Sequence, residues 1–238
     1  MISLEEVLKA CEFVLPESFR KIHTKLFEKE HISTLAGRLI EFWENGVPKE
    51  FPLPHLSVEC TPSLSEAFFF FQEPLKVWEN QKHMKSPEIL RMFADALVNA
   101  TCKNILILMG QRLTPASITD ARAIPPTKEE LMKSAMAIYK EELTIAARAW
   151  TKHAHRSPEK FWGEVQGTTT EKNEFVAKII TKILEASTWW NVFGHYKHET
   201  IYEARVKTGH GARWGKNGTI FIGFVEPFDP ESGTIFET

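Results

Sequence analysis

The sequence lacks the features that identify several classes of protein. Its three cysteines are odd in number and show no CxxC spacing, which argues against a disulfide framework and against a paired-cysteine metal site. Its longest apolar runs, AFFFF and ILILM, fall far short of the roughly 20 residues that cross a bilayer, so we expect no membrane partner. No basic segment leads into an apolar run at the start. We therefore expect a cytoplasmic or nuclear protein.

A strong charge of either sign is also missing. The formal net charge is −2, from 29 basic and 31 acidic residues, so long-range attraction to nucleic acid is weak. The motifs GxSxG, GxxxxGK[ST], GxGxxG and HExxH do not occur. The sequence therefore names no reaction and no cofactor, and it leaves the oligomeric state open.

What is present predicts an α+β fold, with a helical N-terminal two-thirds packed on a C-terminal antiparallel β-meander. Helix starts are marked by the pairs Ser3/Glu6, Ser63/Glu66, Thr127/Glu130 and Thr168/Glu171 and by Ser86-Pro87. We expect one domain over residues 1–238. The proline-rich stretch VPKEFPLPHLSVECTP allows a subdivision into a helical segment, 1–50, and a main body, 63–238.

The extended segments are predicted from composition and turn signals. ETIYEARV, GARWGK and TIFIGFVEP are the strands of the meander, and Asn217-Gly218 between the last two predicts a β-hairpin. A short strand is predicted near 56–60, and NILILM at 104–109 favours a buried strand.

A histidine cluster in the second half supplies the candidates for acid–base catalysis: His153, His155 and His198. The HxH and HxxH spacings suggest an alternative use. His153, His155, His195 and His198 could supply nitrogen ligands to zinc, although we expect no metal site.

Basic side chains lie close to these histidines in the sequence and predict contacts to an anionic group. The segment GHGARWGKNG, residues 209–218, concentrates glycine with His210 and Arg213. The predicted ligand-binding residues are Arg148, Lys152, Arg156, Arg205, His210, Arg213 and Trp214.

These residues favour an enzyme that acts on an anionic small molecule or a nucleotide bearing phosphate or carboxylate. One alternative is a non-catalytic module for single-stranded nucleic acid or nucleotide, with Trp189, Trp190 and Trp214 stacking on bases. Nucleic acid is thus a possible partner but not the favoured one. A protein-interaction scaffold is the third hypothesis.

Overall fold

The structure is a computed structural model that describes residues 2–81, 83–155 and 160–228. Helices and antiparallel sheets are both present, and the larger sheet lies near the C-terminus, which confirms the α+β prediction. The helices are α1 (Leu4–Cys11), α2 (Glu17–Ile22), α3 (Lys29–Asn45), α4 (Leu64–Asn80), α5 (Pro87–Leu108), α6 (Lys128–Ala135), α7 (Ile145–Ala154) and α8 (Thr169–Ala186). The strands are β1 (Ile138–Lys140), β2 (Leu143–Thr144), β3 (Ser187–His195), β4 (Glu199–Val206), β5 (Gly211–Gly215) and β6 (Ile220–Val225).

The chain forms two compact units. Unit one comprises residues 1–51, 60–111 and 118–124 and contains α1–α5. Unit two comprises residues 52–59, 112–117 and 125–238 and contains α6–α8 and all six strands named above. The prediction of one domain with a possible subdivision stays a prediction.

Local signals fixed several helix starts correctly. Ser3, Thr127 and Thr168 form complete capping boxes with Glu6, Glu130 and Glu171. The Ser86 side chain accepts the Ile89 N–H at the start of α5, with Pro87 in the first turn. Ser63 caps α4 through the Ser65 N–H instead of forming the expected box with Glu66.

Two strand predictions are wrong. Residues 104–108 belong to the end of α5, where Ile105–Leu108 are all almost fully buried. A short apolar run does not distinguish a buried strand from a helix that is buried all round, and here the helix continues past a kink at Thr101 (φ 63°). Residues 56–60 form a turn and irregular backbone, because the prolines around them leave few N–H groups for a ladder.

Unit two is built around a four-stranded antiparallel sheet in the order β3-β4-β5-β6. Its first strand, β3, was not among the three predicted runs, and it places Trp189 and Trp190 in buried positions on opposite faces. The β5–β6 hairpin lies where Asn217-Gly218 predicts it. Its loop has three successive residues with positive φ, Lys216 (48°), Asn217 (53°) and Gly218 (82°), so it is longer than a two-residue turn.

The outer edge of β3 is paired with a segment from earlier in the chain. The Arg112 N–H donates to the Trp190 carbonyl oxygen at 2.9 Å, and Ser117 forms an isolated bridge with Phe193. Arg112 is itself buried and ion-paired with Glu59. Residues 112–117, with a turn at 115–116, therefore contact the outer edge of β3 at two points without forming a strand.

Within residues 2–81, 83–155 and 160–228, no helix has the length and apolar composition needed to span a membrane.

Candidate nucleic-acid interface

The two faces of the four-stranded sheet differ in chemistry. Asn191, Glu203, Arg213 and Gly223 are successive partners across the four strands, and directly paired residues share a face. We call this the polar face; Arg205 lies on it as well, two residues from Glu203.

The opposite face is apolar and packs on helices of unit two. Trp214 is fully buried there, and its indole Nε1–H donates to the Leu131 carbonyl oxygen at 3.0 Å. Phe221 packs edge-on against Trp214, and Phe224 packs edge-on against Phe221. This face supplies the core, and much of the polar face is buried too (Asn191 1%, Glu203 1% and Arg205 2% exposed). The Arg213 side chain, 25% exposed, is a point at which a ligand can reach the sheet.

Glu203 organises the polar face. Its side chain is 1% exposed, and its two oxygens accept hydrogen bonds from the Nε–H groups of Arg205 and Arg213, respectively. Arg205 also donates to the carbonyl oxygens of Gly209 (2.5 Å) and Glu226 (2.6 Å). Burial lowers the pKa of the Arg205 guanidinium, and the charge and hydrogen bond of Glu203 oppose that shift. The carboxylate thus holds two arginines in fixed positions on one face.

The two arginines differ in their access to solvent. Arg205 is 3% exposed and its guanidinium lies 3.8 Å above the Phe228 ring, so it is a structural cation. The Arg213 side chain is 25% exposed and extends over the Phe193 ring. Arg213 is therefore the arginine of this pair that can meet a ligand.

The glycines of GHGARWGKNG now have separate explanations. A Cβ atom at Gly211 would lie 2.1 Å from the Ala204 carbonyl oxygen and 2.8 Å from Cγ of Arg205. At Gly215 it would lie 3.0 Å from Cβ of His198. These glycines make room on the polar face for the side chains of the neighbouring strand.

A row of aromatic rings ends the polar face at the β3–β4 hairpin. The His195 ring stacks with His198 (centroids 4.9 Å apart, 24° between planes) and with Tyr196 (4.8 Å, 25°). The backbone N–H of Lys197 donates to Nδ1 of His195 at 3.1 Å, so the neutral ring carries its proton on Nε2.

The electrostatics of this hairpin favour a neutral His195. Desolvation by burial is the largest cause that lowers the pKa of His195, followed by the positive charges of His198, Lys197 and Arg213. Two stacked imidazoles repel each other when both are charged, so the pair favours a single proton. A neutral His195 next to a second imidazole supplies two groups that can exchange protons with a substrate.

A second cluster involves His153 and His210, which lie at opposite oxygens of Glu226. Nε2 of His153 is 2.8 Å from Oε1, and Nε2 of His210 is 3.3 Å from Oε2. His210 is almost fully buried, stacks face to face on Phe161 at 3.8 Å, and has its Nδ1 3.0 Å from the Thr208 hydroxyl. Trp162 Nε1–H donates to the same carboxylate at 2.8 Å. These contacts tie α7, residues 160–162 and the end of β6 together.

The remaining predicted site residues lie elsewhere. The guanidinium of Arg148 lies 4.0 Å from the Tyr139 ring centroid, and Lys152 and His155 are exposed on and just after α7. Arg156 lies outside the described residues. Of the predicted set, the structure brings Arg205, Arg213 and His198 to the polar face, places His153 and His210 at Glu226, and buries Trp214. All of these assignments stay predictions.

Two glutamates of these clusters, Glu203 and Glu226, were not among the predicted site residues. Glu203 is almost completely buried between two arginines, and Glu226 lies between His153 and His210. The spacing of Glu203 and Arg205, two apart on a strand, already placed them on one face. In the part of the chain that the structure describes, no group of three or more His, Cys, Asp or Glu side chains is arranged to hold a metal ion.

Comparison with known proteins relates the second half of the chain to a toxin family. Residues 132–226 match the model of the CdiA C-terminal tRNase toxin domain. The solved toxic C-terminal tip of CdiA from Pseudomonas aeruginosa, in complex with an immune protein, is 34% identical; the match covers 40% of this chain and 99% of that one, with a TM-score of 0.35. No curated protein matches.

The matched segment contains α7, α8 and all the strands described above, and so it contains the whole polar face. This finding corrects the functional prediction. An enzyme for an anionic small molecule or nucleotide is wrong as the leading hypothesis, since the family match points to a nuclease toxin, and the anionic small-molecule partner is not supported. Residues 132–226 of this chain are therefore similar to the CdiA C-terminal tRNase toxin domain family.

Proposed function

We propose that unit two is a ribonuclease that cleaves transfer RNA on the polar face of its sheet. The family match of residues 132–226 supports the substrate class. The stacked His195–His198 pair at the end of a face that carries Arg213 is the observation that supports the chemistry.

The reaction that fits these groups is transfer of the phosphoryl group to the neighbouring 2′-oxygen. Neutral His195 accepts the proton of the 2′-hydroxyl group, and the 2′-oxygen attacks phosphorus. The bond from phosphorus to the 5′-oxygen breaks, and His198, as imidazolium, gives its proton to that oxygen. The products are a 2′,3′-cyclic phosphate and a 5′-hydroxyl end.

The charge distribution supports this division of roles. The positive charge of His198 is one cause of the lowered pKa of His195, which favours neutral His195 as the proton acceptor. In the free protein the His195 lone pair faces the Lys197 N–H, and the substrate hydroxyl replaces that donor. Arg213, held through Nε by Glu203 and 25% exposed, contributes its positive charge near the phosphate as negative charge develops there.

Low net charge is compatible with an RNA substrate, because catalysis requires local rather than global charge. Arg213, Lys197 and the imidazolium of the pair gather positive charge at one end of the polar face. The formal charge of −2 then predicts modest affinity for nucleic acid in general and a shallow dependence on salt.

The experiment is cleavage of bulk transfer RNA by the purified full chain, followed on a denaturing gel. We expect His195→Ala and His198→Ala each to lower kcat by about 100-fold or more. Polynucleotide kinase should label the 5′-hydroxyl ends of the products directly.

His153→Gln is the control, because His153 is a histidine of the same unit that lies away from the His195–His198 pair, in the Glu226 cluster. It should cleave at nearly the wild-type rate. Loss of cleavage in His153→Gln with full activity in His198→Ala would move the site to Glu226. No cleavage by the wild type would refute the ribonuclease proposal.

A protein partner is part of the same proposal. The Pseudomonas aeruginosa relative was solved with an immune protein, and its 34% identity over nearly its whole length supports a comparable partner for this chain. Addition of that immune protein to the cleavage assay tests this proposal, and we expect inhibition at stoichiometric amounts. Unchanged cleavage, without complex formation on size-exclusion chromatography, would contradict it.

A further inference from the structure

Tyr196 is an exposed aromatic ring at the tip of the β3–β4 hairpin. It occupies the three-residue loop between β3 and β4, and it is 82% exposed, the most exposed of the large apolar side chains in the described residues. Single exposed apolar rings are common on protein surfaces, so exposure alone does not indicate a ligand. Tyr196 differs because its ring lies against the His195–His198 pair at the end of the polar face.

The ring is held in a defined orientation. It stacks at 25° on His195, which itself stacks on His198, and the Lys197 ammonium lies 5.2 Å from its centroid. A tyrosine fixed in this way loses little conformational freedom when a second flat ring packs against it.

We propose that Tyr196 binds an unpaired nucleobase next to the scissile phosphate, so that the substrate is a loop or single-stranded end of RNA and not a paired stem. This inference rests on the proposed function, since it places the base beside the His195–His198 pair. A paired base is already stacked between its neighbours and cannot offer a face to Tyr196, whereas an unpaired base extends the existing column of rings. Lys197 meets the adjacent backbone phosphate.

The first measurement is binding to RNA that cannot be cut. A 12-nucleotide 2′-O-methyl RNA has no 2′-hydroxyl groups, and the same strand annealed to its complement is the paired counterpart. The wild-type chain should bind the single strand more tightly than the duplex. Tyr196→Ala should weaken single-strand binding by about 5- to 150-fold, the range for loss of one base–aromatic stack.

Tyr196→Phe is the matched control because it retains the stacking face and removes only the hydroxyl group. It should bind like the wild type. Equal binding of single strand and duplex by the wild type, or equal binding by Tyr196→Ala and wild type, would overturn the inference.

Kinetics separates the inference from the ribonuclease proposal. In cleavage of transfer RNA, Tyr196→Ala should raise KM with little change in kcat, because stacking is present before and during the reaction. If the wild type cleaves and Tyr196→Ala has the same KM, the stacking role fails and the ribonuclease proposal stands. If single-strand binding depends on Tyr196 but no RNA is cleaved, the ribonuclease proposal fails and the base contact stands.

Discussion

Glu203→Gln is expected to destabilise unit two strongly. The change preserves shape and removes the charge that neutralises the two arginines. Arg205, 3% exposed, would keep its positive charge next to the carbonyl oxygens of Gly209 and Glu226, which accept hydrogen bonds but carry no full charge. Breaking a buried ion pair on one side costs about 3–5 kcal/mol, because the remaining charge is desolvated without compensation.

The contrast with Arg213 makes the reasoning testable. Arg213→Met removes the partner that is 25% exposed and leaves the buried Glu203–Arg205 pair intact. Its cost should be about 1 kcal/mol, since partly solvated pairs contribute little. The two variants remove the same Glu203–Arg213 interaction but differ in which charge is left buried.

Urea unfolding followed by tryptophan fluorescence is the assay. Five of the seven tryptophans lie between residues 150 and 214, so the signal reports mainly on unit two. With a slope of about 2 kcal/mol per molar urea, Glu203→Gln should lower the midpoint by roughly 2 M and Arg213→Met by about 0.5 M. Equal midpoints for the two variants, or a Glu203→Gln protein as stable as the wild type, would refute a charge-compensating role for the buried carboxylate.

Three further outcomes are expected. Gly211→Ala should destabilise the protein by about 1–3 kcal/mol, because its Cβ would lie 2.1 Å from the Ala204 carbonyl oxygen. Gly194→Ala, with open space at its Cβ, should change the free energy of unfolding by less than about 0.5 kcal/mol. The opposite order in urea unfolding would contradict the close approach of β4 and β5. Exposed Cys60 should react rapidly with a maleimide at pH 8, whereas burial raises the pKa of Cys11 and of Cys102 to about 12 and should leave both unmodified until the protein unfolds, as peptide mass mapping would reveal. Ribonuclease activity should fall at acid pH as His195 becomes protonated, with a pKa below its ordinary value of 6.5. Lys197→Ala removes a positive charge that lowers this pKa, so it should move the acid limb of the kcat/KM profile to higher pH, whereas the exposed control Lys207→Ala should not. An unmoved acid limb in Lys197→Ala would count against His195 as the base.

The sequence predicted those parts of the fold that depend on local signals. Capping boxes at Ser3, Thr127 and Thr168 and the Asn217-Gly218 hairpin involve residues only a few positions apart. The segment 104–108 was misread because its apolar side chains satisfy either a strand or a buried helix, and the choice depends on packing from the rest of unit one.

The sequence indicated which residues are candidates for the site but not which of them lie close together in the structure. Arg205, Arg213 and His198 were named from composition, and strand parity alone could have added Glu203. Strand parity does not predict that His198 and His153 lie in different clusters. Their separation depends on which end of the sheet each histidine reaches, and that is set by strand register over the whole meander.

The paired edge of β3 has a consequence for how the toxin-like segment can be isolated. Residues 132–226 contain the catalytic groups proposed above, but the backbone that covers the outer edge of β3 comes from residues 112–117. A fragment cut at residue 132 would leave the carbonyl oxygen of Trp190 and its neighbours on that edge open to another strand. Such a fragment is expected to self-associate through β3. A fragment that begins before Arg112 keeps the segment that covers this edge.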